Sequence, residues 1–260
     1  MTQMRRWIGS AVLLVLATSA SAQQPQRTRG DTMVFKETTR TNGEMQGMQV
    51  TGEIGYTLFM VHLGGDSAEV WYDSLTFTTS RGTPPGLDMS SFARKKVIAH
   101  FRPDGRVTGL EPPGSTGGAR GAMTPGFSGV SFALPLPKQP LARGLTWTDT
   151  ATTRIDTLGV SMAISQVSNY EVVGDSTWEG LPVMVVGLRA TIRAQGGGGD
   201  MGLETSSEGE STGRLYYSRA LGFVVKRTSE AQVKSNMSAA GMSMQMTNRT
   251  ETDLHLARRR

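Results

Sequence analysis

The sequence predicts an all-β protein, an antiparallel meander of long strands forming a curved open sheet, half-barrel or barrel. Three observations carry that expectation. Apolar residues recur at every second position through stretches of a dozen residues or more, the period of a strand with one buried face. Short clusters of Gly, Pro, Asn and Asp separate those stretches. Beyond the first thirty or so residues no helical period appears.

The clearest element is the last hairpin, residues 223–256. Its outgoing strand places Phe223, Val225, Ala231, Val233 and Met237 on one face, and its return strand places Met242, Met244, Met246, Leu254 and Leu256 there too. A loop over 238–241 puts Met237 opposite Met242. The outward pairs then include Lys226 with Asp253 and Glu230 with Arg249, opposite charges across the ladder. Between the apolar ends the inner face is polar: Arg227, Ser229, Asn248, Thr250 and Thr252. A bend is expected there, separating two apolar surfaces. Strands of about fifteen residues span about 50 Å and favour a coiled sheet.

In chain order, residues 1–22 read as an export signal. Arg5 and Arg6 precede an apolar run, Ala11 to Ala17, and Ala20-Ser21-Ala22 supplies a small-residue cleavage site. The run is too short for a membrane span. Residues 23–30 form a loose lead-in, and one β domain covers 31–257. Strands are expected at 31–41, 49–63 and 68–79, the last with Trp71, Leu75 and Phe77 on one face and Val70 and Tyr72 on the other. The Pro- and Gly-containing stretch 80–91 interrupts the sheet, with room for a short helix at 87–94. Strands at 96–101 and 106–110 flank an Arg-Pro-Asp-Gly turn.

Residues 111–144 are rich in Gly and Pro, a length and composition typical of a lid, binding loop or insert. Its apolar part, 127–136, is expected to dock on the sheet. Strands follow at 145–157, 160–173, 182–194 and 203–218, with Gly174-Asp175-Ser176 and Gly180 read as turn residues. The total is about eleven strands joined mostly by short turns. Residues 258–260 are a basic tail.

Charge and composition exclude several functions. The chain has 260 residues, a formal charge of +5 and no cysteine. Arg5 and Arg6 leave with the signal, and Arg258, Arg259 and Arg260 carry what remains, so the body lacks the basic surface that nucleic acid requires. Without cysteine an exported fold relies on its core alone. His62, His100 and His255 stand far apart and no metal-ligand spacing accompanies them, so no cofactor and no zinc or calcium site is expected.

Two Gly-Asp-Ser tripeptides, 65–67 and 174–176, resemble an element of one group of esterases. Such chemistry needs a histidine base on the serine and a carboxylate to orient it. Asp253-Leu254-His255 is one residue short of that group's Asp-x-x-His, and its fold is α/β, so turns are the better reading. Asn236-Met237-Ser238 and Asn248-Arg249-Thr250 match an N-glycosylation pattern that matters only in a eukaryotic secretory host. A transmembrane barrel would need an apolar central band. The last hairpin is polar in the middle, so a protein outside the bilayer is expected.

Methionine is the unusual signal. Met242, Met244 and Met246 alternate on one strand, and Met45 and Met48 flank another turn. Methionine fills irregular apolar grooves, which is the preferred reading. Thioethers also suit Cu(I), which is the alternative.

The signal peptide, the long strands and the Leu134–Trp147 stretch, with its Pro-rich run ending in Gly-Leu-Thr-Trp, resemble exported bacterial β-sheet proteins of unknown function. Their layout is similar to the half-barrel of the periplasmic lipoprotein carriers. The resemblance implies a concave, apolar-lined sheet in the cell envelope and transfers no catalytic residue. The expectation is a non-enzymatic exported protein, periplasmic or extracellular, holding a lipid or other hydrophobic small molecule. Phe223, Val225, Val233, Met237, Met242, Met244 and Met246 would line the groove, with Phe127 in the covering segment. The alternatives are a structural or partner-binding envelope protein with a self-filled core and, third, an esterase-like hydrolase.

Overall fold

The computed structural model describes residues 29–45, 47–80, 93–102, 107–111, 134–157, 160–198, 203–239 and 242–259. They form eleven strands: β1 Thr32–Met45, β2 Met48–Gly64, β3 Ser67–Thr79, β4 Val97–Phe101, β5 Val107–Glu111, β6 Thr146–Thr157, β7 Val160–Trp178, β8 Leu181–Gly198, β9 Leu203–Ser218, β10 Phe223–Ala239 and β11 Met242–Arg259. All belong to one open antiparallel sheet of order β5-β4-β3-β2-β1-β11-β10-β9-β8-β7-β6. The expected all-β class and the long strands are both observed.

The topology is two meanders, β1–β5 and β6–β11, joined by the antiparallel β1–β11 pair. That pair fixes the direction of every strand. Alternating outward from it, β5 and β6 point the same way although they follow one another in sequence. Strands of like direction need a long crossover rather than a hairpin. The connection between β5 and β6, residues 112–145, has the length that such a crossover needs, and its described part is 134–145. Phe127 and the rest of 112–133 lie outside the described residues, as do 81–92, which hold most of the helix expected at 87–94.

The sheet curls at one end. Phe101 of β4 meets Phe223 of β10 edge to face, with ring centroids 5.5 Å apart. Five strand spacings of about 4.8 Å would hold them roughly 24 Å apart in a flat sheet. Between them lies an apolar cluster that includes Phe35, Leu58, Met60, Val70, Val225 and Leu254. A second cluster gathers Tyr170, Val172, Val186, Leu188 and Leu215 beneath Leu134, which is fully buried. Trp147 stacks on Tyr170 at 5.0 Å and donates its indole N–H to the Pro135 carbonyl at 2.8 Å. Arg219 ties the same segment down by donating to the Leu141 carbonyl. The described end of the insert thus docks on the sheet as expected.

Three details of register differ from simple alternation. Met237 pairs with Met244 rather than Met242, and Ala239 pairs with Met242, so the loop is two residues, not four. A slip of two keeps the apolar faces together but rearranges the charges. Lys226 stands across from His255, and Glu230 faces Glu251, a like-charge pair. Arg249 relieves it, 2.8 Å from Glu230 and 3.6 Å from Glu251. Lys226 instead lays its ammonium 4.0 Å from the Trp178 ring centroid.

Second, Gly174-Asp175-Ser176 is no turn. β7 runs through it to Trp178 with a bulge between Val172 and Gly174, and the hairpin turns at Glu179-Gly180, both at positive φ. Two consecutive positive φ values suit the right-handed twist of a two-residue hairpin. Third, an extra residue in β3 between Tyr72 and Ser74 reverses its parity. Tyr72 pairs with Leu58 while Leu75 pairs with Tyr56, so these two share a face and Trp71 stacks on Phe59 across from them.

Candidate functional site

The expected groove residues share one strand face but not one environment. Phe223 and Val225 are 1% and 0% exposed inside the first apolar cluster. Val233, Met237, Met244 and Met246 are half-buried, and Met242 is 74% exposed. Twelve residues separate Val225 from Met237, about 40 Å along the strand. The seven therefore divide between a sealed end and an open end of the same hairpin.

A polar layer closes the sealed end. The Tyr56 hydroxyl donates to Glu37 Oε2 at 2.6 Å, and Tyr56 meets Tyr72 edge to face at 5.0 Å. Glu37 is only 9% exposed. Burial first, then the Glu37 charge, holds the Tyr56 phenol far above its ordinary 10.0, with the Arg227 guanidinium opposing. Tyr72 is raised for the same two reasons. Beyond this layer comes a band of hydroxyls, with Thr39 bonded to Thr252 and Thr41 to Thr250, each at 3.3 Å. Both contacts lie on the polar stretch of the inner face that the sequence places between two apolar ones.

Past the hydroxyl band the same face becomes apolar again, and the register collects methionines there. Met162 aligns through Gly196 and Thr205 with Met237 and Met244. In the neighbouring row Ser235 aligns with Met246, Met45 and Met48. Val233 and Val50 stand one row inward, together with Gly209, where a Cβ would press into a Val233 methyl group. Met48 is 44% exposed. The sequence signal for Met48 was its place beside the first turn; Met162 carried none, because only strand pairing brings it here.

The opposite face is charged. Arg189, Thr212, Glu230, Glu251, Arg40 and Glu53 form one cross-sheet row, with Arg40 2.8 Å from Glu53. A shallow depression of about 1090 Å³ lies over β6–β11 and β1, with Arg40, Arg189, Arg214, Glu171, Glu230 and Asp253 in its lining. Another, of about 560 Å³, is bordered by Gln195, Glu204, Ser206, Asn236 and Ser243. Trp147, Tyr170 and Leu188 also line the first and Met237 the second, but both are open depressions rather than an apolar-lined groove.

The hydrolase arrangement does not assemble. His255 stands across from Lys226 and Lys36 and contacts Asp253 at 3.3 Å, with neither Gly-Asp-Ser serine opposite. Ser67 does stand across from His100, but its hydroxyl donates to the Gly64 carbonyl, and His100 turns Nε2 toward Glu111 at 3.6 Å. His62 is 3% exposed, and its Nδ1 accepts the Gly64 N–H at 2.9 Å. Among the described residues no group of three His, Cys, Asp or Glu is placed to hold a metal ion. No helix among them is long and apolar enough to cross a membrane, which says nothing of a β-barrel.

These features define the class: an all-β protein built on a single curled antiparallel sheet, sealed by apolar residues at one end and methionine-rich on an open face at the other. No family model matches the chain, and no curated protein matches it. Among solved structures it is similar to Ail, the attachment invasion locus protein of Yersinia pestis, at 6% identity and a TM-score of 0.19, covering 87% of this chain and 99% of that one. An overlap that poor carries no argument about fold or function.

Proposed function

We propose that this is an exported, non-enzymatic protein of the periplasm or cell exterior whose open sheet face takes up a hydrophobic ligand, in the manner of the half-barrel lipoprotein carriers. The observation that supports it is the open end of the inner face of β10 and β11. Val233, Met237, Met244 and Met246 are half-buried there, and Met242 and Met48 stand exposed at its rim. Flexible thioethers adapt to ligands of varied shape. An exposed apolar patch on a sheet otherwise rich in paired charges marks a surface that binds something. Phe223 and Val225 leave the ligand-lining set, because they fill the core.

A second reading, a structural or partner-binding envelope protein, is favoured by the self-filled clusters around Phe35 and Leu134. Titration with a polarity-sensitive apolar dye separates the two. The carrier reading expects saturable binding that Met244→Glu weakens while the fold survives, since a charge there sits among apolar groups. Absence of dye or lipid binding by folded protein leaves the structural reading. For export, N-terminal sequencing of protein from the envelope fraction should begin at Gln23.

A further inference from the structure

We propose that Met237, Met244 and Met246 form a thioether site for a soft monovalent cation, Cu(I) or Ag(I). Met237 and Met244 are direct partners across the β10–β11 ladder, so their Cα atoms stand about 5 Å apart. Met246 follows Met244 on the same face, about 6.7 Å further along the strand. Each thioether has three rotatable bonds to its backbone, so sulfurs at these spacings can converge on one ion. All three side chains are half-buried, while Met242 and Met48 lie at the solvent boundary of the patch, 74% and 44% exposed. An ion therefore has a sulfur-lined way in.

Residue choice points the same way. An apolar sheet face is served by Leu, Ile or Val, as the sealed end of this hairpin is by Val225, Leu254 and Leu256. At the open end the same strand positions carry methionine instead. Thioethers are neutral soft donors that hold Cu(I) well and magnesium, calcium or zinc poorly. Among the described residues no carboxylate or imidazole cluster competes for harder ions, and the chain has no cysteine thiolate to dominate the affinity. Binding to thioether sulfur displaces no proton, so affinity should stay level where imidazole or thiolate ligands would lose it to acid.

The three methionines also belong to the proposed ligand surface, but cation binding by their sulfurs does not require that reading. The test is competition with a chromogenic Cu(I) chelator under ascorbate, repeated by Ag(I) calorimetry, on the full chain at pH 7 and pH 5. The expected result is one ion per chain, with affinity nearly equal at the two pH values. Replacing all three residues, M237L, M244L and M246L, conserves volume and apolar character. It should weaken Cu(I) by about tenfold or more, with the circular dichroism spectrum and the urea midpoint close to those of the wild type. A triple variant that binds Cu(I) as the wild type does, a wild type that cannot compete with the chelator, or a steep loss of affinity at pH 5 would each overturn the proposal. Dye uptake is scored separately, so a failed carrier function and a failed metal site give different results.

Discussion

At one end of the β10–β11 hairpin, Val225 and Leu254 are fully buried and Leu256 is 4% exposed; at the other, Met242 on the same face is 74% exposed. The alternation that places these residues is identical at the two ends. What differs is the sheet around them. At the first end β4 curls across to bring Phe101 onto Phe223. β3 runs only as far as Thr79, opposite Gly52 of β2, and among the described residues neither apolar cluster reaches the methionine end. Period-2 patterning therefore specifies which face a side chain joins and not whether anything covers that face. The sealed end fits a core and the open end fits a binding surface.

The comparison breaks most visibly at the sealed end. Phe223→Ala removes a ring that is 1% exposed and packed edge to face, so urea denaturation should show a loss of about 3–5 kcal/mol. A loss below about 1 kcal/mol would place Phe223 outside the core.

An intermediate effect belongs to the polar layer between the ends. Tyr56→Phe strips Glu37 of its 2.6 Å donor and should cost about 1–3 kcal/mol. The same layer sets an alkaline limit on stability. In the unfolded chain Tyr56 and Tyr72 lose their protons near 10.0, whereas folding holds both phenols above that value. The unfolded state then binds fewer protons than the native one, so stability is full below about pH 10 and falls as the pH rises. The slope approaches ~1.4 kcal/mol per pH unit for each tyrosine. Chemical denaturation at stepped alkaline pH should show the fall, and Tyr56→Phe should make it shallower. A flat alkaline limb in wild type contradicts the buried placement.

The smallest effects are expected at the open end. Met244→Leu nearly conserves volume and should shift stability by less than about 1.5 kcal/mol. Met242→Ser, at an exposed position, should stay within about 0.5 kcal/mol. A cost at Met242 comparable with that at Phe223 would mean that the open end is covered after all.

Much of this architecture was legible in the residues. Alternation located the strands to within a few residues at most ends, and it put Met244 and Leu254 on one face. It missed what depends on a single backbone step. The two-residue loop after Ala239 and the four-residue alternative keep the same apolar faces together, so hydrophobic patterning cannot tell them apart. The charged pairs favoured the wrong one, since Arg249 satisfies Glu230 diagonally as well as it would directly. Gly174 looked like a turn because glycine serves bulges and turns equally. The extra residue, Asp73, reversed the faces of β3 with no mark in the composition. That 111–144 joins two strands of like direction follows only from the strand order, which is a property of the whole sheet. In the site, Met237, Met244 and Met246 were visible from β10 and β11 alone, whereas Met162 needed four aligned strands.

The register of the last hairpin decides whether those methionines meet, and it can be measured directly. The chain has no cysteine, so paired substitutions report without background. Met237→Cys with Met244→Cys puts two thiols on directly opposed residues about 5 Å apart, within disulfide reach. Met237→Cys with Met242→Cys puts them on a diagonal of about 7–8 Å, beyond it. Mild oxidation of the folded protein should cross-link the first pair rapidly and the second poorly. Preferential cross-linking of Met237→Cys with Met242→Cys would mean a four-residue loop, and the methionine site would not form as described.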